Sequence, residues 1–158
     1  MTGSQLTLQP LEDVTEEVRE LIAALDEALS EGYTAEQHHG YAAERLLESN
    51  MRFFLLREAN ALIGCGGYAV EVGFGELKRM FVSPSHQGRG HSKRILSHLI
   101  EHARAEGVAL LRLETGVYQT TAIKLYKSFG FKEIKAFGEY REMDPHTIEL
   151  SRFYELRL

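Results

Sequence analysis

The stretch from His86 to Leu96, HQGRGHSKRIL, decides the fold. It sets two glycines and a run of basic side chains directly before an apolar helical stripe. Glycine costs backbone entropy, so a close pair of glycines marks a place where a side chain would obstruct something. The basic residues favour a negative ligand. Upstream, FGELKRMFV (74–82) reads as a strand, and Ser83-Pro84 breaks it. Downstream, Ile95, Leu96, Leu99, Ile100 and Ala103 recur at helical spacing up to Gly107. A strand, a glycine loop and a helix N-terminus together favour phosphate, because the first helical amides are unpaired and the dipole is positive there. The nucleotide-binding loop G-x-x-x-x-G-K-[ST] and the dinucleotide fingerprint G-x-G-x-x-G are both absent. Taken alone, the stretch also reads as a tight turn with solvated basic side chains.

The rest of the chain narrows the choice. Its 158 residues fit one domain over 1–158 with a real core. The net charge of -5 argues against a general nucleic-acid or anionic-membrane binder, which would show a broad basic face. Cys65 is the one cysteine, so no disulfide forms within the chain and a cytoplasmic setting is expected. The first ten residues do not read as a signal peptide, and no apolar run approaches membrane-spanning length.

The pattern along the chain is mixed α/β. SQLTLQP reads as a first strand ended by Pro10. Asp13 with Glu16 forms a capping box for a helix carrying Val14, Val18, Leu21, Ile22, Leu25 and Leu29. Thr34 with Gln37 opens a second helix whose stripe is Tyr41, Ala42, Leu46 and Leu47. MRFFLLREA, ALIGCGGYAVEV and FGELKRMFV form an antiparallel meander. After the glycine-loop helix, ALLRLET has the near-continuous apolar run of a strand covered on both faces. A short helix runs from Ala122 to Phe129, closed by Gly130, and FKEIKAF and TIELSRFYELRL are the last strands.

QGRGHS, Gln87 to Ser92, resembles the Q/R-x-x-G-x-G/A signature of the GNAT superfamily of acyl-CoA N-acyltransferases. LKRMFVSP runs into it as that family's fourth strand does. LETGVYQTTAIKLYKSFGF, Leu113 to Phe131, resembles the family's fifth strand and following helix, with its A-x-x-L-Y-x-x-x-G-F ending. The resemblance is good from about Phe74 to Phe137 and weak before Met51. FGEYREMDP is similar to a subgroup of small bacterial members. Two departures stand out: Ser92 replaces the usual Gly or Ala, and Gln119 stands where many members have Asn.

The resemblance implies a mixed central sheet of about seven strands flanked by about four helices, with strands four and five splayed to admit acyl-CoA. It implies acetyl-CoA as co-substrate, no metal, and a primary amine as acceptor, moved by direct attack in a ternary complex. An assembly of two copies is compatible with this. Backbone groups of Met80, Phe81 and Val82 would pair with the pantetheine arm like an added strand. The segment Gln87, Gly88, Arg89, Gly90, His91, Ser92 and Lys93 would hold the pyrophosphate, and Gln119 would reach the cofactor. Tyr126 matches the tyrosine that protonates the departing thiolate. Glu114 and Glu76 are the two candidates for the base, directly or through water, and a strand-four amide near Met80 or Phe81 would stabilise the oxyanion. For Tyr126 the plainer reading is packing, and for each glutamate a salt-bridged surface carboxylate. A non-catalytic acyl-CoA-binding module is the rival function.

Other signals are weaker. HLIEH, His98 to His102, matches the H-x-x-E-H zinc pattern, but Leu99, Ile100 and Ala103 claim the core side and leave both histidines near the solvent edge. His38 and His39 read as a solvated helix face, and Cys65 as a small buried residue. Tyr33 and Tyr140 border the expected acceptor pocket, although packing accounts for both.

Overall fold

The structure is a computed structural model that describes residues 5–30 and 43–158. Its strands are β1 (Leu6–Pro10), β2 (Met51–Glu58), β3 (Ala61–Glu71), β4 (Phe74–Val82), β5 (Leu110–Gly116), β6 (Lys132–Ile134) and β7 (Ser151–Arg157). Helices α1 (Glu16–Ser30), α2 (His91–Ala105), α3 (Thr120–Ser128) and α4 (Pro145–Glu149) join them. The sheet order is β1-β2-β3-β4-β5-β7-β6, so β7 inserts between β5 and β6. The expected second helix falls largely on residues outside the described ones, as do Tyr33, His38 and His39. Its last residues, Leu46 and Leu47, belong to a 3-10 turn over Ala43–Leu47.

Each face of the sheet carries its own core. β2 alternates: Phe54 and Leu56 join Ile95, Leu96, Leu99 and Ile100 of α2, while Phe53 and Leu55 join Val18, Leu21, Ile22 and Leu25 of α1. A strand buried on both faces is the reason MRFFLLRE shows no polar side. β5 departs from the same expectation. Its burial alternates, with Leu111, Leu113 and Thr115 inside and Leu110, Arg112 and Glu114 half-buried, because one face looks into a cleft. Among the described residues no helix is long and apolar enough to cross a membrane.

Local chemistry corrects several expected boundaries. Thr15, not Asp13, caps α1: its hydroxyl accepts from the Val18 amide at 3.3 Å. The expected last strand is shorter, because Asp144 caps α4 through the His146 and Thr147 amides and Pro145 takes the first helical position. FKEIKAF keeps strand geometry only over Lys132–Ile134. His98 and His102 are half-buried at the rim of the α2-side core. Their rings pack edge-on against Phe54 at 4.5 and 4.9 Å, and the Tyr68 hydroxyl lies 2.8 Å from His102 Nδ1. Among the described residues no three His, Cys, Asp or Glu side chains converge as metal ligands.

β4 and β5 are parallel but pair only at Gly75↔Leu111 and Glu76↔Arg112. At this closed end the Arg112 guanidinium lies 4.8 Å from the Phe74 ring centre and 5.5 Å from that of Phe137, and its Nε donates to Glu155. Beyond Glu76 the strands diverge. A bulge at Arg79, which takes a left-handed φ of 57°, shifts β4 against β3 between Cys65 and Gly67. A non-glycine residue there is strained by roughly 1–3 kcal/mol. The strain is held by the Arg79–Asp26 ion pair at 2.6 Å and by the Cys65 thiol donating to the Arg79 carbonyl at 3.3 Å.

Candidate active site

The loop after β4 is built to present amides. Val82 ends the strand and the Gln87 side-chain amide donates back to its carbonyl at 2.9 Å, which closes the 3-10 turn Pro84–His86. Gly88 and Gly90 follow at φ 80° and 82°, a region that L side chains rarely adopt. Gly90 is the N-cap of α2 and has no side chain to cap with, so the first-turn amides at His91, Ser92 and Lys93 receive no side-chain cap. Ser92 therefore lies inside the first turn instead of capping it. Arg94 braces the loop by donating to the Arg89 carbonyl at 3.1 Å. The Arg89, Ser92 and Lys93 side chains are exposed. His91 is buried, and burial first, then the Arg94 charge, lowers its pKa, so its ring is neutral at pH 7. Glu58 at the end of β2 stands 3.9 Å from Arg89 and 4.0 Å from His86.

The divergence of β4 and β5 opens a cleft. It is lined by Met80, Glu114, Gln119, Ala122 and Tyr126, together with Glu76, Lys78, Tyr140 and Ser151. Leu25 and Leu29 of α1 and Leu150 give it an apolar border. Of the three expected pantetheine partners, only Met80 lines this cleft, and its side chain packs against the α2-side core. Val82 is buried in the α2-side core and Phe81 packs on the α1-side core, so those two can offer only backbone.

Tyr126 on α3 is buried, with its ring edge-on to Phe131 at 5.7 Å. Burial, and then the charge of Glu114, pushes its phenol up to about 12. Glu114 on β5 accepts from the Ser151 hydroxyl at 2.6 Å. Glu76 on β4 is 7% exposed, and its Oε2 accepts from the Tyr140 hydroxyl at 2.5 Å and forms an ion pair with Lys78 Nζ at 3.1 Å. Burial, then Glu76 and Glu114, pushes the Tyr140 phenol far upward. Glu114 thus acts electrostatically on both tyrosines. The cleft combines carboxylates with protonated phenols, the groups that proton transfer requires.

The structure brings Tyr126, Glu114, Glu76, Met80 and Gln119 to one cleft, with the glycine loop at the far end of β4. Sequence reasoning passed over Ser151 and the bond from Tyr140 to Glu76. These contacts span 37 and 64 residues, and no local pattern marks them. The helix α4 beside them was findable, because Asp144-Pro145 is a helix-start signal.

The sequence profile of the acetyltransferase (GNAT) family matches residues 18–131. An IAA acetyltransferase of Azospirillum brasilense is 41% identical over 145 residues, covering 90% of this chain and 92% of that protein. A structure from Klebsiella pneumoniae described as an acyl-CoA N-acyltransferase superposes with a TM-score of 0.76 at 30% identity, over 97% of each chain. A GNAT family acetyltransferase from Elizabethkingia anophelis, solved with acetyl-CoA bound, shares the fold with a TM-score of 0.72 at 20% identity, over 97% of this chain and 98% of that one.

Proposed function

The chain belongs to the acetyltransferase (GNAT) family, and from that premise we propose that it transfers the acetyl group of acetyl-CoA to a primary amine of a small molecule by direct attack in a ternary complex. The observation that carries this reading is that Glu114 and Tyr126 line one cleft, where the carboxylate's charge helps keep the phenol protonated. Acetylation of an amine needs a base for the ammonium proton and an acid for the leaving thiolate, and this pair offers both.

The assignment of roles follows the contacts. The loop and first-turn amides from Gly88 to Lys93 bind the diphosphate, helped by Arg89 and Lys93. The β4 backbone from Met80 to Val82 pairs with the pantetheine arm, and Gln119 reaches the cofactor from the α3 N-terminus. An amide beside the Arg79 bulge, at Met80 or Phe81, donates to the oxyanion. Glu114 takes the amine's proton, directly or through water. Nitrogen attacks the thioester carbon and sheds its second proton to water, the C–S bond breaks, Tyr126 gives its proton to sulfur, and Glu114 releases the proton it took to solvent. Tyr126 recovers a proton from solvent before the next turnover. Glu76 is the weaker candidate for the base, because one of its oxygens is engaged by Tyr140 and Lys78. The single cysteine is buried and the co-substrate is intracellular, which supports a cytoplasmic setting.

The test is a panel of primary amines, from short alkylamines to aralkylamines and amino-acid amides, assayed for thiol release from acetyl-CoA. Amine-dependent release with one N-acetylated product is expected. Binding of acetyl-CoA with no release across the panel would favour the rival reading, an acyl-CoA-binding module.

A further inference from the structure

We propose that Glu76 is the carboxylate that receives the acceptor as an ammonium ion and that Tyr140 is the residue that positions it, so that the cleft divides recognition, at Glu76, from proton removal, at Glu114. The proposal rests on the acetyl-transfer reading above and deepens it. Burying a carboxylate is costly unless donors replace the lost water. Glu76 has one hydrogen-bond donor, the Tyr140 hydroxyl, and one ion-pair partner, the Lys78 ammonium, and both fall on Oε2. Among the described residues Oε1 accepts no hydrogen bond, and Glu76 lines the cleft. A carboxylate has about four acceptor sites, so roughly half of its capacity remains for an incoming donor. An ammonium brings three N–H groups and the matching charge.

Tyr140 is held firmly enough to impose an orientation. Its ring packs on Phe137 and Phe153 with centroids 5.2 and 5.4 Å away, and Phe137 packs in turn on Phe74 of β4. The hydroxyl therefore reaches β4 from a rigid aromatic cluster and fixes Oε2, which leaves Oε1 as the oxygen the acceptor meets. The charge of the cleft agrees. Two carboxylates, Glu76 and Glu114, line it with Lys78 and Arg79, but the Arg79 guanidinium is turned to Asp26 at 2.6 Å. With Leu25, Leu29 and Leu150 at the border, the acceptor class is a primary ammonium carried on an apolar body.

The probe is the amine of highest kcat/KM in the panel above, with its alcohol analogue as an uncharged competitive control. Tyr140→Phe keeps the ring, and circular dichroism with acetyl-CoA titration checks that it folds and binds. Expected is a rise of about tenfold in the amine KM, the loss of one charge-assisted hydrogen bond, with kcat within about twofold and the acetyl-CoA KM unchanged. Glu76→Gln should raise the amine KM at least as much, and adding Tyr140→Phe to it should change little more, because both act through one carboxylate. The alcohol should inhibit wild type and both variants alike. An unchanged amine KM in Glu76→Gln, or additive effects in the double variant, would overturn the proposal. Glu114→Gln separates the two readings. Wild-type turnover there overturns the base assignment and the division of labour with it. Lost turnover there, with an unchanged amine KM in Glu76→Gln, overturns only the role given to Glu76 and Tyr140.

Discussion

β4 is bonded very differently along its two edges. Toward β3 it has seven register partners, from Phe74 to Val82, while toward β5 it has two, both at its start. The β3 edge lies between two filled cores. The β5 edge opens on Glu114 and Tyr126. One strand thus closes the sheet on one side and borders the candidate site on the other. Substitutions on the β3 side should cost folding and spare binding, and those on the β5 side should do the reverse.

The largest effect is expected in the glycine loop. Gly90 has a φ of 82°, and a β-branched residue is strained there whatever room surrounds it. Gly90→Val should abolish CoA binding by calorimetry and leave the far-UV spectrum of the sheet in place. A folded variant with unchanged affinity would break the division at its most exposed point.

Gly67 tests the opposite edge. A Cβ there would lie 2.4 Å from the Arg52 carbonyl oxygen and 2.7 Å from the Phe53 ring, where backbone must move to admit it. Gly67→Ala should destabilise the fold by about 3 kcal/mol, the upper end of ordinary overpacking. Denaturant melts check this, and the folded fraction should bind CoA normally. A melt indistinguishable from wild type would show that the β2–β3 contact is less tight than its spacing.

Tyr126→Phe should be milder for the fold and plain in the chemistry. The ring stays against Phe131, so acetyl-CoA binding should hold. A fall in kcat of about 100-fold is expected, near the low end for a positioned acid, because a thiolate of pKa about 8.5 leaves tolerably unaided. The phenol's pKa of about 12 fixes the sign of the pH dependence: the proton is held in neutral and mildly alkaline solution, and the acid role fades only as pH approaches that value. A kcat that drops steeply between pH 8 and 9 through this residue would contradict the assignment.

The smallest effect belongs to Arg89→Ala. Its side chain is 57% exposed and has Glu58 as an alternative partner at 3.9 Å. A loss of CoA affinity of about 1 kcal/mol is expected, shrinking as salt rises. A phosphate-free pantetheine analogue should not notice the change. Equal weakening of both ligands would mean that Arg89 acts through the loop's shape and not through charge.

The two edges were also unequally legible. The meander announces itself through apolar runs broken at Asn60 and Gly73, and α2 through a stripe that starts just after Gly90 and stops at Gly107. These signals are local, set by residues within one or two turns of each other. The glycine loop is local too, which is why its phosphate chemistry could be read before any fold was known. The splay of β4 from β5 has no local mark and entered through the family resemblance. Glu76 and Glu114 could be listed as carboxylates, but nothing near them in sequence says that Tyr140 holds one and Ser151 the other. Those bonds exist only once β7 has inserted beside β5. Helix α4 and the Thr15 cap differ in kind: both carry standard capping residues, but the run from Thr147 also fits a strand and Asp13 competes for the cap.

The two-position contact between β4 and β5 also sets how fast part of the backbone trades its hydrogens with solvent. In a strand, successive amides point to opposite edges, so on either side of the Arg79 bulge alternate N–H groups of β4 beyond Glu76 face the widening gap and have no partner on β5. In deuterated water those amides should exchange within the fastest class, while the amides between them, bonded to β3, wait for a much larger opening of the sheet. An alternating exchange pattern along a single central strand would be its signature. Added CoA should slow the fast set selectively, in the order in which the pantetheine arm covers the strand.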